Sequence, residues 1–450
     1  MNHTASRSPG STIFALATPP GRAGVAVIRV SGPQAAEGAL ALTGQWALQP
    51  HRMAVGNIRH PVTRDLIDHA LAVYFKNPAS YTGEDTVEYH THGSPAVVQA
   101  LLRALATLPG HRMAEPGEFT RRAFENGKID LTEAEGIADL INAETELQRV
   151  QAVAQMSGVL AALYDGWRDE LARALAHLEA DIDFPDEDLP GGVAVQVKPV
   201  LEKLLDEIRA HLDDNRRGEM LRDGIHVAVI GAPNAGKSSL VNALAQREVA
   251  IVSDIAGTTR DIVEAHLNLG GYPVIVSDTA GLRPEQLGAT GHDKIESEGI
   301  KRALQRAQDA DIKILLFDAS SAPDENTMNL RDENSMIVFN KTDLSPHAGE
   351  SGTLNISVKT GAGLKDLINA LIEKIKALTG TRTTPSLTRA RHRAALGDCA
   401  SSLLHALDAK ESELIAEDTR LAIRALGRIT GRVDVEDLLD VIFRDFCIGK

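Results

Sequence analysis

Gly231-Ala232-Pro233-Asn234-Ala235-Gly236-Lys237-Ser238 is the stretch whose reading decides the fold. An apolar run at 226–230, read as a buried strand, precedes it, and residues 238–245, read as a helix, follow it. Strand, glycine-bearing loop ending in Gly-Lys-Ser, and helix together form the context that a phosphate-binding loop requires. Gly231 and Gly236 let backbone amides close on an anion at a helix N-terminus. Lys237 adds a point charge for the terminal phosphates, and Ser238 offers a hydroxyl to magnesium. The candidate phosphate contacts run from Asn234 through Ala235, Gly236, Lys237 and Ser238 to Ser239.

Working outward, three further motifs follow in the order of a GTPase: Thr258-Thr259, then Asp278-Thr279-Ala280-Gly281, then Asn340-Lys341-Thr342-Asp343. Thr259 can close over a terminal phosphate and join Ser238 on magnesium, while Asp278, at a strand end, can hold the magnesium shell. Gly281 allows the backbone to turn against the γ-phosphate. The Asp343 carboxylate can accept two hydrogen bonds from guanine that adenine cannot donate, which points to GTP rather than ATP. Asn340 and Lys341 brace the base, and Ser357-Val358-Lys359 fits a further base-side loop.

One position departs from the pattern. The residue after Asp278-Thr279-Ala280-Gly281 is Leu282, where many GTPases keep a Gln that orients the attacking water. Two groups can replace it. The Asn234 carbonyl oxygen can ligate a monovalent cation against the phosphates, with carbonyls from Ser253, Asp254, Ile255, Ala256, Gly257 and Thr258 completing the shell. Glu296 can orient water, with Asp293 and Glu298 as rivals, so Lys237 and Glu296 are the candidate catalytic residues. Asn234 shaping the loop and Glu296 favouring a helix N-terminus are the competing structural explanations.

Composition bounds the rest. The chain has 450 residues, 43% hydrophobic and 24% charged, which suggests about three globular domains. No apolar run approaches the ~18 residues of a membrane span, and residues 1–10 lack the apolar core of a signal peptide, so a soluble cytoplasmic protein is expected. Two cysteines, Cys399 and Cys447, do not make a disulfide scaffold. Cys399 sits in a helical pattern and reads as core; Cys447 reads either as an apolar filler or as a functional thiol. The net charge of −15 is concentrated: residues 121–220 carry 11 Lys/Arg against 22 Asp/Glu. Such a surface grips nucleic acid poorly without a partner or a local basic patch.

The pattern of periodicities predicts four segments. Residues 1–120 mix short strands (13–17, 24–31, 71–75, 86–89) with helices (35–42, 96–108), an α+β domain. Residues 121–220 show only helical spacing, at 134–154, 159–182 and 197–212. Residues 221–380 alternate strands with helices, which argues a parallel sheet with helices on both faces. Residues 381–450 are helical again. The expected fold is therefore multidomain: an α+β N-terminal domain and an all-α domain into which an α/β P-loop GTPase domain is inserted.

The whole set of motifs resembles the family of tRNA modification GTPases called MnmE or TrmE. The resemblance rests on Ala17-Thr18-Pro19-Pro20-Gly21-Arg22, Ile28-Arg29-Val30-Ser31-Gly32, and Tyr81-Thr82-Gly83-Glu84-Asp85 with Glu88. It continues through Pro116-Gly117-Glu118-Phe119, Asn126-Gly127-Lys128, Ala256-Gly257-Thr258-Thr259-Arg260-Asp261 and the terminal Phe446-Cys447-Ile448-Gly449-Lys450. It implies a folate-binding N-terminal domain that pairs in a homodimer, with Arg29, Glu88, Lys128 and Lys450 on a tetrahydrofolate derivative (5-formyl or 5,10-methylene). It implies magnesium at the nucleotide and potassium held by Asn234, Ser253, Ile255 and Thr258, with Glu296 as the water-orienting residue. The implied reaction adds a carboxymethylaminomethyl group to carbon 5 of the wobble uridine of certain tRNAs, shared with a flavin-bearing partner of the MnmG/GidA type. Ser253 stands where a Thr is common, and the loop after Leu282 looks longer than usual. Two other functions fit the residues alone: a GTP-switched ribosome assembly factor, and a folate enzyme with a regulatory GTPase insert.

Overall fold

The short β-branched runs of the first hundred residues pair into a sheet. The computed structural model describes residues 10–183, 193–247, 264–278, 309–345, 352–380, 386–433, 436–444, 446, 448 and 449. Its first six strands are β1 (Thr12–Leu16), β2 (Ala23–Ser31), β3 (Met53–Arg59), β4 (Leu66–Phe75), β5 (Thr86–Gly93) and β6 (His111–Met113). They lie in the order β3-β4-β5-β2-β1-β6, antiparallel except for β1 beside β6. The period of two in β5 buries Val87, Tyr89 and Thr91 on one face and leaves Glu88, His90 and His92 on the other. Val87 and Tyr89 join Ile28, Val30 and the helices Ala35–Thr43 and Pro95–Ala106 in one core. Strands β3 and β6 carry weak sequence signals: β3 is an edge strand with an exposed face, and β6 is three residues long.

This sheet belongs to a compact unit of residues 1–138 and 427–450. The end of the chain returns to it. Leu131 and Ala134 cluster with Leu439, Phe443 and Phe446, and Ile448 forms an antiparallel bridge with Pro116. Gly449 has φ +103°, and a Cβ there would stand 2.3 Å from the Leu16 carbonyl oxygen at the end of β1. Only a residue without a side chain lies flat against that backbone.

The second unit, residues 139–426, holds the helices Glu146–Met156, Val159–Asp183, Val193–Leu212, Arg217–Asp223 and Ala390–Asp408. Helical spacing over 134–154 suggests one helix; the structure has two, Leu131–Asn142 and Glu146–Met156. The break has a local cause. Thr145 caps the second helix in a capping box, its hydroxyl accepting from the Gln148 amide while Gln148 Oε1 accepts from the Thr145 amide at 3.1 Å.

The second sheet comprises β7 (Ile225–Ile230), β8 (Glu264–Leu269), β9 (Tyr272–Asp278), β10 (Ile312–Asp318), β11 (Ser335–Asn340) and β12 (Thr353–Asn355). Their order is β12-β11-β10-β7-β9-β8. Five strands are parallel, as the alternation predicts; β8 is an antiparallel edge joined to β9 across Gly270-Gly271. Because β7 lies between β10 and β9, the chain order reverses there, and such switch points open a crevice at the strands' carboxyl ends. Val227 and Val229 face a core with Leu240, Val241, Leu244, Leu367 and Leu371. Ala228 and Ile230 face the opposite cluster with Leu315, Phe317 and Phe339.

The chain's way into and out of this sheet is tied by ion pairs. Asp139 Oδ1 accepts from Arg222 Nε at 3.1 Å and from Arg389 Nη2 at 2.7 Å. Arg393 donates to Glu219 at 3.1 Å and to Asp214 at 2.6 Å. Residues just before β7 and just before the helix Ala390–Asp408 are thereby held on the same helical scaffold.

Candidate functional site

The carboxyl ends of five strands converge on the crevice. The loop between β7 and the helix Lys237–Arg247 is the Gly231–Ser238 stretch. Within it Asn234 is exposed with φ +66° and Gly236 has φ +99°. A Cβ on Gly236 would stand 2.4 Å from Asn340 Nδ2, so glycine there keeps Asn340 in place. Lys237 Nζ donates to the carbonyls of Gly231 at 2.8 Å and Ala232 at 3.1 Å. Burial holds its ammonium below the usual lysine range, against the opposing pull of Asp278. Ser239 is exposed at the next helical position.

Asp278 ends β9, in register with Val229 of β7. Its Oδ2 accepts from Ser238 Oγ, and its Oδ1 is buried with no hydrogen-bond partner among the described residues. A buried carboxylate oxygen lacking a donor is costly unless a cation or water meets it. A serine hydroxyl beside such an oxygen fits a hydrated divalent cation.

Of the candidate base residues, Asn340 ends β11. Its Nδ2 donates to the Ala235 carbonyl at 2.9 Å, and its Oδ1 accepts from the Val358 amide at 3.1 Å. One buried side chain thus ties the Gly231–Ser238 loop to the Ser357–Lys359 loop. Asp343 Oδ1 accepts from Ser357 Oγ at 2.6 Å, and Thr342 Oγ1 donates to the Ile356 carbonyl at 2.9 Å. Lys359 is exposed at the rim. Lys341, with φ +63°, reaches Asp318 of β10 at 2.7 Å. Sequence reading missed Asp318; its only signal is an acidic residue at the end of an apolar strand.

The remaining nucleotide candidates, Ser253, Asp254, Ile255, Ala256, Gly257, Thr258, Thr259, Thr279, Ala280, Gly281 and Glu296 with its rivals Asp293 and Glu298, lie outside the described residues. So do Cys447 and Lys450.

In the first unit, β2 and β5 place Arg29 opposite Glu88. Arg29 Nε donates to Glu88 Oε1 at 2.8 Å, and the guanidinium sits 5.4 Å from the Tyr81 ring centre and 5.7 Å from that of Phe119. Glu88 is therefore paired on a half-covered face instead of pointing freely to solvent. Lys128 Nζ donates to the Pro78 carbonyl at 3.1 Å, and Asn126 Nδ2 to that of Thr82 at 2.7 Å. Arg29 is in register with Ala15 of β1, one residue from Leu16, against which Gly449 rests. Cys399 is buried, which pushes its thiol up to about 12. It is a packing residue.

Fold and site together define a multidomain P-loop GTPase. A family model described as the MnmE helical domain matches residues 131–447, and one for the N-terminus of the GTP-binding protein TrmE matches 12–128. The tRNA modification GTPase MnmE of Parvibaculum lavamentivorans is 56% identical over 98% of this chain and 100% of its own. That of Rhodospirillum rubrum is 51% identical over 98% and 99%, and that of Rickettsia bellii 48% over 98% and 100%. The chain belongs to the MnmE family of tRNA modification GTPases. It is a GTP hydrolase that acts in tRNA modification. Among the described residues no helix is long and apolar enough to cross a membrane.

Proposed function

We propose that this chain is a cytoplasmic, potassium-dependent GTPase that works with a flavin-bearing partner of the MnmG/GidA type. The pair adds a carboxymethylaminomethyl group to carbon 5 of the wobble uridine of certain tRNAs. The observation that carries the hydrolytic part is Asp278, with one oxygen on Ser238 and the other buried with no partner among the described residues. Ser238, Thr259 and the Asp278 carboxylate would hold magnesium, and Asn234, Ser253, Ile255 and Thr258 potassium; bound there, the two cations neutralise charge developing on the phosphates. Lys237 leaves its loop carbonyls for the terminal phosphates. Glu296 orients the attacking water, since Leu282 has no polar atom. Asn340 and Asp343 hold guanine, with Thr342, Ser357, Val358 and Lys359 around them.

Arg29, Glu88, Lys128 and Lys450 would bind a tetrahydrofolate derivative, 5-formyl or 5,10-methylene. Support comes from the Arg29–Glu88 pair and from the bridge that brings Ile448 to Pro116. Cations suit the carboxylates of a folate tail, and Glu88 suits ring N–H donors. Cys447 is proposed as a functional thiol. We also propose a homodimer through this domain, supported by Met53 and Val55. Both are exposed on the sheet face that carries Glu88. The proposed boundaries are 1–120 for the folate domain, 121–220 and 381–450 for the helical domain, and 221–380 for the inserted GTPase domain.

Potassium tests the hydrolytic proposal. Turnover rises in KCl over NaCl at equal ionic strength, and Asn234→Ala removes the difference. Equal rates in both salts for the parent chain refute it.

A further inference from the structure

Asp318 closes β10 in register with Asn340, the last residue of β11. The Ala319 amide donates to the Asn340 carbonyl at 2.8 Å, locking the two strand ends together. Beyond them, Lys341 Nζ donates to Asp318 Oδ2 at 2.7 Å. The other oxygen, Oδ1, accepts from the Ser320 amide at 2.9 Å and from its hydroxyl at 2.6 Å. The carboxylate is therefore held on both sides. The bond from Lys341, then those from Ser320, bring its pKa down to about 2, so it is charged throughout the physiological range. Lys341 has φ +63°, a backbone state that a side-chain-bearing residue keeps only where its surroundings impose it. A free lysine at a pocket rim has many rotamers, and their entropy is lost when a ligand packs against it.

We propose that Asp318 is a positioning residue for guanine nucleotides: it fixes Lys341 beside the base pocket before the nucleotide arrives. This rests on Asn340–Asp343 being the base site. The contribution of Asp318 is preorganisation without contact, so it strengthens base-side binding and leaves the phosphate side alone. Lys237, Ser238 and Asp278, which face the phosphates, do not touch it. Loss of Asp318 therefore weakens GTP and GDP by the same factor.

The test is Asp318→Asn in the full-length chain, with affinities for GTP and GDP by calorimetry and steady-state hydrolysis. Asparagine keeps the volume but has a single acceptor oxygen and no charge, so it cannot accept from Lys341 Nζ on one side and the Ser320 amide on the other. Both nucleotides are expected to bind about tenfold more weakly, with KM rising in step and kcat within about twofold. The double variant with Lys341→Met is expected to bind no more weakly than Lys341→Met alone, because Asp318 acts only through that lysine. Ser320→Ala, which loosens the carboxylate without removing it, gives a smaller loss of the same kind and serves if Asp318→Asn melts early. Unchanged affinity in well-folded variants, losses that multiply in the double variant, or a larger loss for GTP than for GDP overturns the proposal. Asp343→Asn separates the two levels. If it weakens GTP while Asp318→Asn does not, only the role of Asp318 falls; if it leaves GTP unchanged, the base site falls and Asp318 with it.

Discussion

Asp343→Asn is the substitution that bears most directly on base choice. Asp343 Oδ1 is occupied by Ser357 Oγ at 2.6 Å, and Ser357 is 1% exposed, so the carboxylate cannot swing away. Asparagine has the same shape and keeps that bond through its own oxygen. What changes is the outward group, from a charged acceptor to a neutral donor. Guanine then loses two charge-assisted hydrogen bonds of roughly 1.5–3 kcal/mol each. Together they amount to about 3–6 kcal/mol, an expected loss of ~10²–10⁴-fold in GTP affinity at about 1.4 kcal/mol per tenfold. Xanthosine triphosphate, whose ring carbonyl accepts from the new amide, gains affinity in the same variant. Competition against a fluorescent nucleotide reads both changes in one experiment. GTP binding within about threefold of the parent, or no gain for the xanthine nucleotide, refutes the assignment of Asp343 to the base.

Three further outcomes are expected. Glu296→Ala slows hydrolysis by ~10²–10³-fold with GTP affinity nearly unchanged, as for loss of one positioned catalytic group; single-turnover kinetics check it, and a slow Asp293→Ala or Glu298→Ala instead moves the role to that residue. Burial beside Tyr164 and Trp167 lowers the His211 pKa from 6.5 to about 4, helped by Arg393 and His392 and opposed by Asp214. The unfolded chain thus binds the proton first, so stability present above pH 6.5 is lost as pH falls towards 4, by up to about 3 kcal/mol; denaturant titrations show the loss, and His211→Gln flattens it. Deleting residues 446–450 abolishes tRNA modification while GTP hydrolysis persists, and Glu88→Gln weakens formyl-tetrahydrofolate binding by calorimetry; full folate affinity in both variants removes the C-terminal stretch and Glu88 from that site.

Much of this protein is determined by local sequence. The phosphate loop needs a strand before it and a helix after it, and the residues supply both within a single stretch, so its position follows without tertiary information. The run of parallel strands is equally legible, because strands buried on both faces must be apolar nearly throughout, as Ile312–Asp318 is. Asn340 and Asp343 stand out as candidates for the same reason: they fall within one short motif.

Other features were decided only when distant segments met. Edge strands β3 and β8 bury one face at most, so their alternation is weak, and pairing with β4 and β9 makes them strands. The helix break at Thr145 depends on a reciprocal bond with Gln148 that helical periodicity does not register. Glu88 alternates with apolar neighbours as a solvent-facing residue would; the register of β2 against β5 instead sets it on Arg29. Asp318 and Lys341 are 23 residues apart and become partners because parallel pairing aligns two strand ends. The close approach of Gly449 to Leu16 spans nearly the whole chain. Sequence determines which groups can do the chemistry, because that depends on residue type and short spacing; tertiary structure decides which of them face one another, because that depends on strand order and register.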